Sequence, residues 1–212
     1  MNSMRILLGT TNPSKVKRFS DLLKGYDVEF VTLKDLEITD EPEENGTTPE
    51  ENAIAKAKFY GQYFDVVICN DSGLYFEELT LNDVRQPGLN VRTPMQMDRL
   101  SDEEMVDYYS KLIDTLGGKV SAYYLDGIAV YYHGTICSFM DADEAKKTGS
   151  FYMIGKASSK RFEGWPLDSL SINKETGKYF VDGSMEESKE NIIKDDYEKS
   201  IVDFLTKSLH IA

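Results

Sequence analysis

Met4-Arg5-Ile6-Leu7-Leu8-Gly9-Thr10-Thr11-Asn12-Pro13-Ser14-Lys15 is the stretch on which the fold turns. Its apolar run, 4–8, reads as a buried parallel strand, and Gly9 opens the exit turn. The next segment, 15–24, places Val16, Phe19, Leu22 and Leu23 on one helical face. A second strand is expected at 28–32, followed by a long acidic stretch, 34–47. Thr48-Pro49-Glu50-Glu51 then opens a capped helix, with a hydroxyl at the N-cap, proline first and glutamate third. Ala53, Ala57, Tyr60 and Phe64 recur along it, and Val66-Val67-Ile68-Cys69 returns as a strand. Strand–helix–strand repeated this early predicts an α/β sheet with ligands at the carboxyl ends of its strands.

Further along, 81–97 is irregular. Ser101-Asp102-Glu103-Glu104 is a second capping box, leading a helix that ends at Gly117-Gly118. Alternation of Val120, Ala122 and Tyr124, then of Ile128, Val130 and Tyr132, makes 119–140 a β region. His133-Gly134 marks a hairpin, and Asp126-Gly127 marks a candidate bulge. The stretch 141–150 reads as a loop, 151–154 as a short strand, and the rest as loop-rich until a terminal helix at 197–209. No internal repeat or linker interrupts the chain, so 1–212 is expected to be one domain, with room for a second lobe at about 119–180.

With 212 residues, the chain is long enough for a sizeable core. Its net charge of −13 argues against a general nucleic-acid binder, which needs a basic face. It does not exclude a nucleotide, because distant carboxylates are screened over about 8 Å at physiological salt. Cys69 and Cys137 lie in apolar segments and are expected to be buried free thiols. His133 and His210 are not at metal-ligand spacing. No apolar run approaches a membrane span and the amino terminus lacks a basic leader, so the cytoplasm is the expected compartment.

Two polar loops after strands carry the candidate chemistry. Thr10, Thr11, Asn12 and Lys15 offer hydroxyls, an amide and a cation at a helix mouth, where free N–H groups favour an anion. The same string also reads as a helix cap with a solvated lysine. Asn70-Asp71-Ser72-Gly73 reads as a tight polar turn after 66–69, with Gly73 supplying an unusual backbone conformation. There Asp71 can hold Mg2+ or take a proton from water, or simply end the strand as an Asx-turn. Glu44 precedes the helix that presents Lys56 two turns in.

In this order and spacing, the three elements resemble the inosine triphosphate pyrophosphatase family, hydrolases of non-canonical purine nucleoside triphosphates. T-x-N-x-x-K matches Thr10, Asn12 and Lys15, and E-x-G-x-T-x-x-E-N-A matches Glu44, Gly46, Thr48, Glu51, Asn52 and Ala53, with Lys56 following. D-D-S-G-L appears as Asn70, Asp71, Ser72, Gly73 and Leu74, and P-G…R as Pro87, Gly88 and Arg92. The second half departs from the pattern. F-G-[YW]-D-P appears only as Phe162-Glu163-Gly164-Trp165-Pro166-Leu167-Asp168, and the terminal S-H-R is absent, with Lys199 standing for the lysine upstream of it.

The resemblance implies an elongated mixed central sheet flanked by helices, with two lobes around a cleft. It also implies hydrolysis between the α and β phosphates of a nucleoside triphosphate substrate. Glu44 and Asp71 would hold Mg2+, Asp71 would activate water, and Lys15, Lys56, Thr10, Asn12 and Ser72 would meet the phosphates. Gly164, Trp165 and Lys199 would lie on the base side, although Trp165 also reads as a core tryptophan. The family is commonly dimeric, and Tyr123-Tyr124 and Tyr131-Tyr132 either cover an interface or are buried on both sheet faces. Two rival readings stay open: a nucleotide-binding protein that has lost catalysis, a sensor or scaffold, motivated by Asn70 and the missing S-H-R, and an acidic interaction protein that kept only the fold.

Overall fold

The computed structural model describes residues 3–81, 83–162, 164–183 and 196–211. The strands are β1 (Met4–Leu8), β2 (Val28–Thr32), β3 (Val66–Phe76), β4 (Lys119–Tyr132), β5 (Thr135–Phe139), β6 (Phe151–Ile154) and β7 (Ser171–Ile172). The helices are α1 (Pro13–Leu22), α2 (Pro49–Tyr60), α3 (Asp102–Thr115), α4 (Ala142–Gly149) and α5 (Asp196–Leu209). The strands form a mixed seven-stranded sheet of order β2-β1-β3-β4-β6-β7, with β5 paired to β4. The mixed α/β expectation holds. No helix among the described residues is long and apolar enough to cross a membrane.

The chain divides into two compact units, Met1–Ser72 with Asp126–Asp141 and Glu198–Ala212, and Gly73–Leu125 with Ala142–Tyr197. In the first, β1 pairs in parallel with β2 from Met4↔Val28 to Leu8↔Thr32, and with β3 at Leu7↔Val67 and Leu8↔Ile68. Ile6, Leu7 and Leu8 are all fully buried, as a parallel strand covered on both faces requires. Ala53, Ala57 and Tyr60 of α2 pack with Leu7, Val67, Cys69 and Ala129. Alternate residues of β3, Val67 and Cys69, therefore face α2, and the intervening ones point the other way. β4 and β5 form the expected hairpin, closed by His133 and Gly134 at φ 45° and 91°.

In the second unit, β4 pairs antiparallel with β6 from Lys119↔Ile154 to Ala122↔Phe151, and β6 with β7. Tyr109 and Ile113 of α3 are buried with Val120, Met153 and Leu170. The Ser101 capping box is complete: Glu104 N donates to Ser101 Oγ at 3.4 Å, and Ser101 N donates to Glu104 Oε2 at 2.8 Å. At α2 the box is displaced. Thr48 Oγ1 accepts from Glu51 N at 3.2 Å, but the Glu51 carboxylate accepts from Thr47 N at 2.6 Å instead of from the N-cap.

Three expectations are corrected. Asn70-Asp71-Ser72-Gly73 is no turn but the interior of the eleven-residue β3. Gly73 is absent from the positive-φ glycines, and its requirement is space: a Cβ would lie 2.8 Å from Gly88 O. The stretch 141–150 contains α4, which buries only Ala145 and so shows no apolar period. Cys69 is buried, but Cys137 is exposed. The candidate bulge at Asp126-Gly127 falls within β4, which runs through both residues.

Gly127 has a packing reason to be glycine. A Cβ there would sit 2.1 Å from the carbonyl carbon of Pro49 and from the backbone N of Glu50. The amino end of α2 thus rests directly on the backbone of β4. Backbone cannot step aside as a flexible side chain does, so Gly127→Ala should exceed the usual overpacking cost of about 1–3 kcal/mol. Urea denaturation measures it, and a loss below about 0.5 kcal/mol would contradict this contact. Burial pushes the Cys69 thiol up to about 12, with Lys56 and Lys15 opposing weakly. A thiol reagent at neutral pH should therefore modify Cys137 in the native protein and Cys69 only after denaturation.

Candidate active site

The loop after β1 is organised by its own side chains. Thr10 Oγ1 accepts from Asn12 N at 3.1 Å. Asn12 is the N-cap of α1, its Oδ1 accepting from Ser14 N at 2.9 Å, and Pro13 follows at the first helical position. Thr11 is exposed beside them. The remaining first-turn N–H groups of α1 point out of the helix end.

Lys15 leaves this turn toward β3, and its Nζ donates to the main-chain carbonyl of Asn70 at 3.2 Å. Burial lowers its pKa below the usual lysine value. Asp71 and Asp126 oppose that shift, while Lys56 and Arg18 add to it. A buried lysine that gives its proton up easily gains most from a polyanion.

Asp71 lies on the α2 side of β3, in step with Val67 and Cys69. Asn52 Nδ2 donates to its Oδ2 at 2.9 Å, and Lys56 Nζ lies 3.6 Å from its Oδ1. Asn52 is itself fixed, its Oδ1 accepting from Gly46 N at 2.8 Å. The same Lys56 Nζ is 2.9 Å from Glu44 Oε1. One ammonium therefore joins the two carboxylates, and Asn52 and Lys56 present it together because they are four residues apart on one helix face. Ser72 comes next on β3 and so leaves the strand on the opposite face, with Asn70.

On that face Asn70 is buried, with 3% exposure. Its Nδ2 meets Asp126 Oδ1 at 3.1 Å, Gly127 O at 3.1 Å and Asp71 O at 2.9 Å. Arg18 Nη1, one turn beyond Lys15 on α1, donates to Asp126 Oδ2 at 2.9 Å.

In the second unit, Asp102 uses both carboxylate oxygens. Oδ1 accepts from Arg92 Nη1 at 2.9 Å and Oδ2 from Gly164 N at 3.0 Å. Trp165 follows, 36% exposed, so it is not a fully buried core tryptophan. Glu163 lies outside the described residues. Lys199 is exposed on α5, and no described contact ties it to the group around Asp71.

Among the sequence-selected residues, the structure thus gathers Lys15, Lys56, Glu44 and Asp71. Asn52, Arg18 and Asp126 join them without having been singled out for a role. Asn52 stood inside a quoted motif. Arg18 shares the helix face of Lys15 at i+3, and Asp126 is a charge within an apolar strand, a signal worth a partner search.

Fold and residues together define an α/β protein whose candidate site lies toward the carboxyl ends of parallel strands, where such sheets bind ligands. Residues 6–147 match the model of the Ham1 family, and the chain belongs to that family. It is 30% identical over 212 residues to a dITP/XTP pyrophosphatase of Oceanobacillus iheyensis, covering 97% of this chain and 98% of that protein. A dITP/XTP pyrophosphatase of Thermoanaerobacter pseudethanolicus is 41% identical over 87 residues, and there the chain spans only 42% of the relative's length. The Staphylococcus aureus Ham1 protein shares the fold with a TM-score of 0.70 at 20% identity, covering 96% of this chain and 98% of that one. A Ham1 protein from Coxiella burnetii does so at 0.74 and 19%, covering 96% and 99%.

The lowered pKa of Lys15 has a measurable sign. Below that pKa the ammonium is present, and as pH rises through it the charge is lost. Calorimetric affinity for inorganic triphosphate should therefore fall at lower pH than an ordinary lysine's ionisation would allow. Lys15→Met should weaken binding at neutral pH and remove that alkaline loss. An identical pH profile in both proteins would exclude Lys15 as the cause.

Proposed function

We propose that this protein is a Mg2+-dependent nucleoside triphosphate pyrophosphohydrolase that cleaves the α–β phosphoanhydride of non-canonical purine nucleotides. The observation that carries the proposal is Lys15 and Lys56 converging from different helices on the strand that holds Asp71. Relatives named dITP/XTP pyrophosphatase support the reaction and the substrate class.

The donor set suits the metal. Glu44 and Asp71 offer hard carboxylate oxygens, and no cluster of three or more His, Cys, Asp or Glu exists among the described residues. Mg2+ accepts such a partial set, filling its shell with waters and substrate phosphates. When bound, the ion neutralises phosphate oxygens and steadies the leaving group.

The chain's own groups do the rest. Lys15 and Lys56 pair with phosphate oxygens, and the first turn of α1, shaped by Thr10 and Asn12, adds N–H donors. Asp71 takes a proton from the attacking water while the water oxygen bonds to phosphorus and the bridging P–O bond breaks. Nucleoside monophosphate and pyrophosphate leave. Asn52 keeps the Asp71 carboxylate in one orientation, so proton acceptance costs little rearrangement. Gly164, Trp165 and Lys199 are assigned to the base side by the family resemblance alone.

Asn70 favours a second reading, binding without turnover, because it stands where the family motif carries an acid. Pyrophosphate release with and without Mg2+, across inosine, xanthosine and canonical nucleoside triphosphates, separates the two. Metal-dependent release with inosine and xanthosine substrates preferred is expected. Asp71→Asn should lower turnover by on the order of 10²–10⁴ without loss of the folded state. Nucleotide binding with no release from the wild type would establish the second reading instead.

A further inference from the structure

Among the described residues, Asp126 is the most buried ion-paired carboxylate of the first unit, with a side chain 8% exposed, and the proposed reaction does not use it. It comes from the middle of β4, between Leu125 and Gly127, both buried. One oxygen accepts from Arg18 of α1 and the other from the Asn70 amide of β3. Neither partner is incidental. Arg18 lies on the helix that carries Lys15, and Asn70 supplies the main-chain carbonyl on which Lys15 Nζ rests. Asn70 is also bonded directly to the residue that holds the reactive carboxylate, and its amide contacts the carbonyl of that residue.

The hydrogen-bond inventory determines which way the Asn70 amide faces. The atom surrounded by Asp126 Oδ1, Gly127 O and Asp71 O must be a donor, so it is the nitrogen. Its Oδ1 is buried and accepts no hydrogen bond among the described residues. An aspartate at position 70 would turn an oxygen toward three oxygens, one of them already charged. Two carboxylates this close cannot both ionise without cost.

Strand geometry shows which sheet face each position serves. Consecutive residues of β3 leave on opposite faces, so two acids at 70 and 71 would put one carboxylate on each side of the sheet. Here Asp71 occupies the α2 side, and the other side receives its carboxylate from Asp126, one strand away.

We propose that Asp126 is a positioning residue that replaces an acid at position 70: it holds Arg18 and Asn70, and through them aligns Lys15 and Asp71. Asn70 is then a relocated charge and not a mark of lost catalysis. The idea rests on the pyrophosphohydrolase reading for its kinetic consequence, and on the geometry alone for its coupling.

The test is a cycle of Asn70→Asp, Asp126→Asn and the double exchange in the full chain. It is read by pyrophosphate release, by calorimetric binding of inorganic triphosphate and by thermal melting. Each single change should lower kcat/KM at least tenfold. In Asp126→Asn the loss should appear in KM as well as kcat, because Lys15 is displaced. The double exchange, which removes the clash of two carboxylates though not the two main-chain carbonyls beside position 70, should recover at least tenfold over the weaker single variant. A purely structural role would restore melting without restoring KM. If the wild type releases no pyrophosphate, the activity reading fails, and triphosphate affinity and melting still judge the coupling. Asn70→Asp with wild-type kinetics would overturn the proposal, as would a double exchange no better than the worse single. Asn70→Asp that fails to fold while the double exchange folds and binds triphosphate supports it; failure of both overturns it.

Discussion

Asp71 sets a carboxylate inside a strand flanked by buried residues, and the arrangement of the first unit answers that one charge. A carboxylate so placed needs hydrogen-bond donors and an opposite charge to offset its lost hydration. Asn52 and Lys56 supply both from α2. They reach it only because α2 lies close over β3, which in turn requires small residues on the helix face, Ala53 and Ala57, and no side chain at Gly127 under its first turn. The E-N-A-x-x-K spacing is therefore a geometric device: it puts an amide and an ammonium on one helix face, four residues apart, above one strand position.

The local charge differs from the global one. The chain carries a net −13, yet around β3 Lys15, Arg18 and Lys56 stand against Glu44, Asp71 and Asp126. Those carboxylates are each engaged by a cation, so the cluster is locally balanced and not a field of free negative charge. The acids of the stretch 34–47 are largely exposed and lie in solvent, where salt screens them.

Much of the fold was legible because period and capping are local properties. β1 and β2 were located to the residue, β6 likewise, and both capped helices began at their caps. What failed was also local. Asn70-Asp71-Ser72-Gly73 has the composition of a turn, and nothing nearby in sequence says otherwise. Its polar groups stay in a strand because their partners arrive from elsewhere, Asn52 from α2 and Asp126 with Gly127 from β4. α4 leaves no signal in the sequence, because a helix burying one alanine has no apolar stripe to reveal it. The cation and carboxylate motifs were visible as residue types, while the pairing of Arg18 with Asp126 across 108 positions was not.

The ion pairs of the two units differ in how far water reaches them. Around β3 the pairs are enclosed: Lys56 and Asp71 have side chains 14% and 15% exposed, Arg18 and Asp126 20% and 8%. Removing one partner of such a pair strands a charge in a poorly solvated place, at a cost of about 3–5 kcal/mol. In the second unit, Arg92 and Asp102 are 28% and 38% exposed, and Arg161 and Glu103 33% and 74%. Pairs open to water contribute about 0–1 kcal/mol, so their loss or replacement costs little. The cluster around Asp71 is thus held by pairs that resist removal of either partner, while Asp102, which accepts from the Gly164 backbone, is held by one that tolerates it.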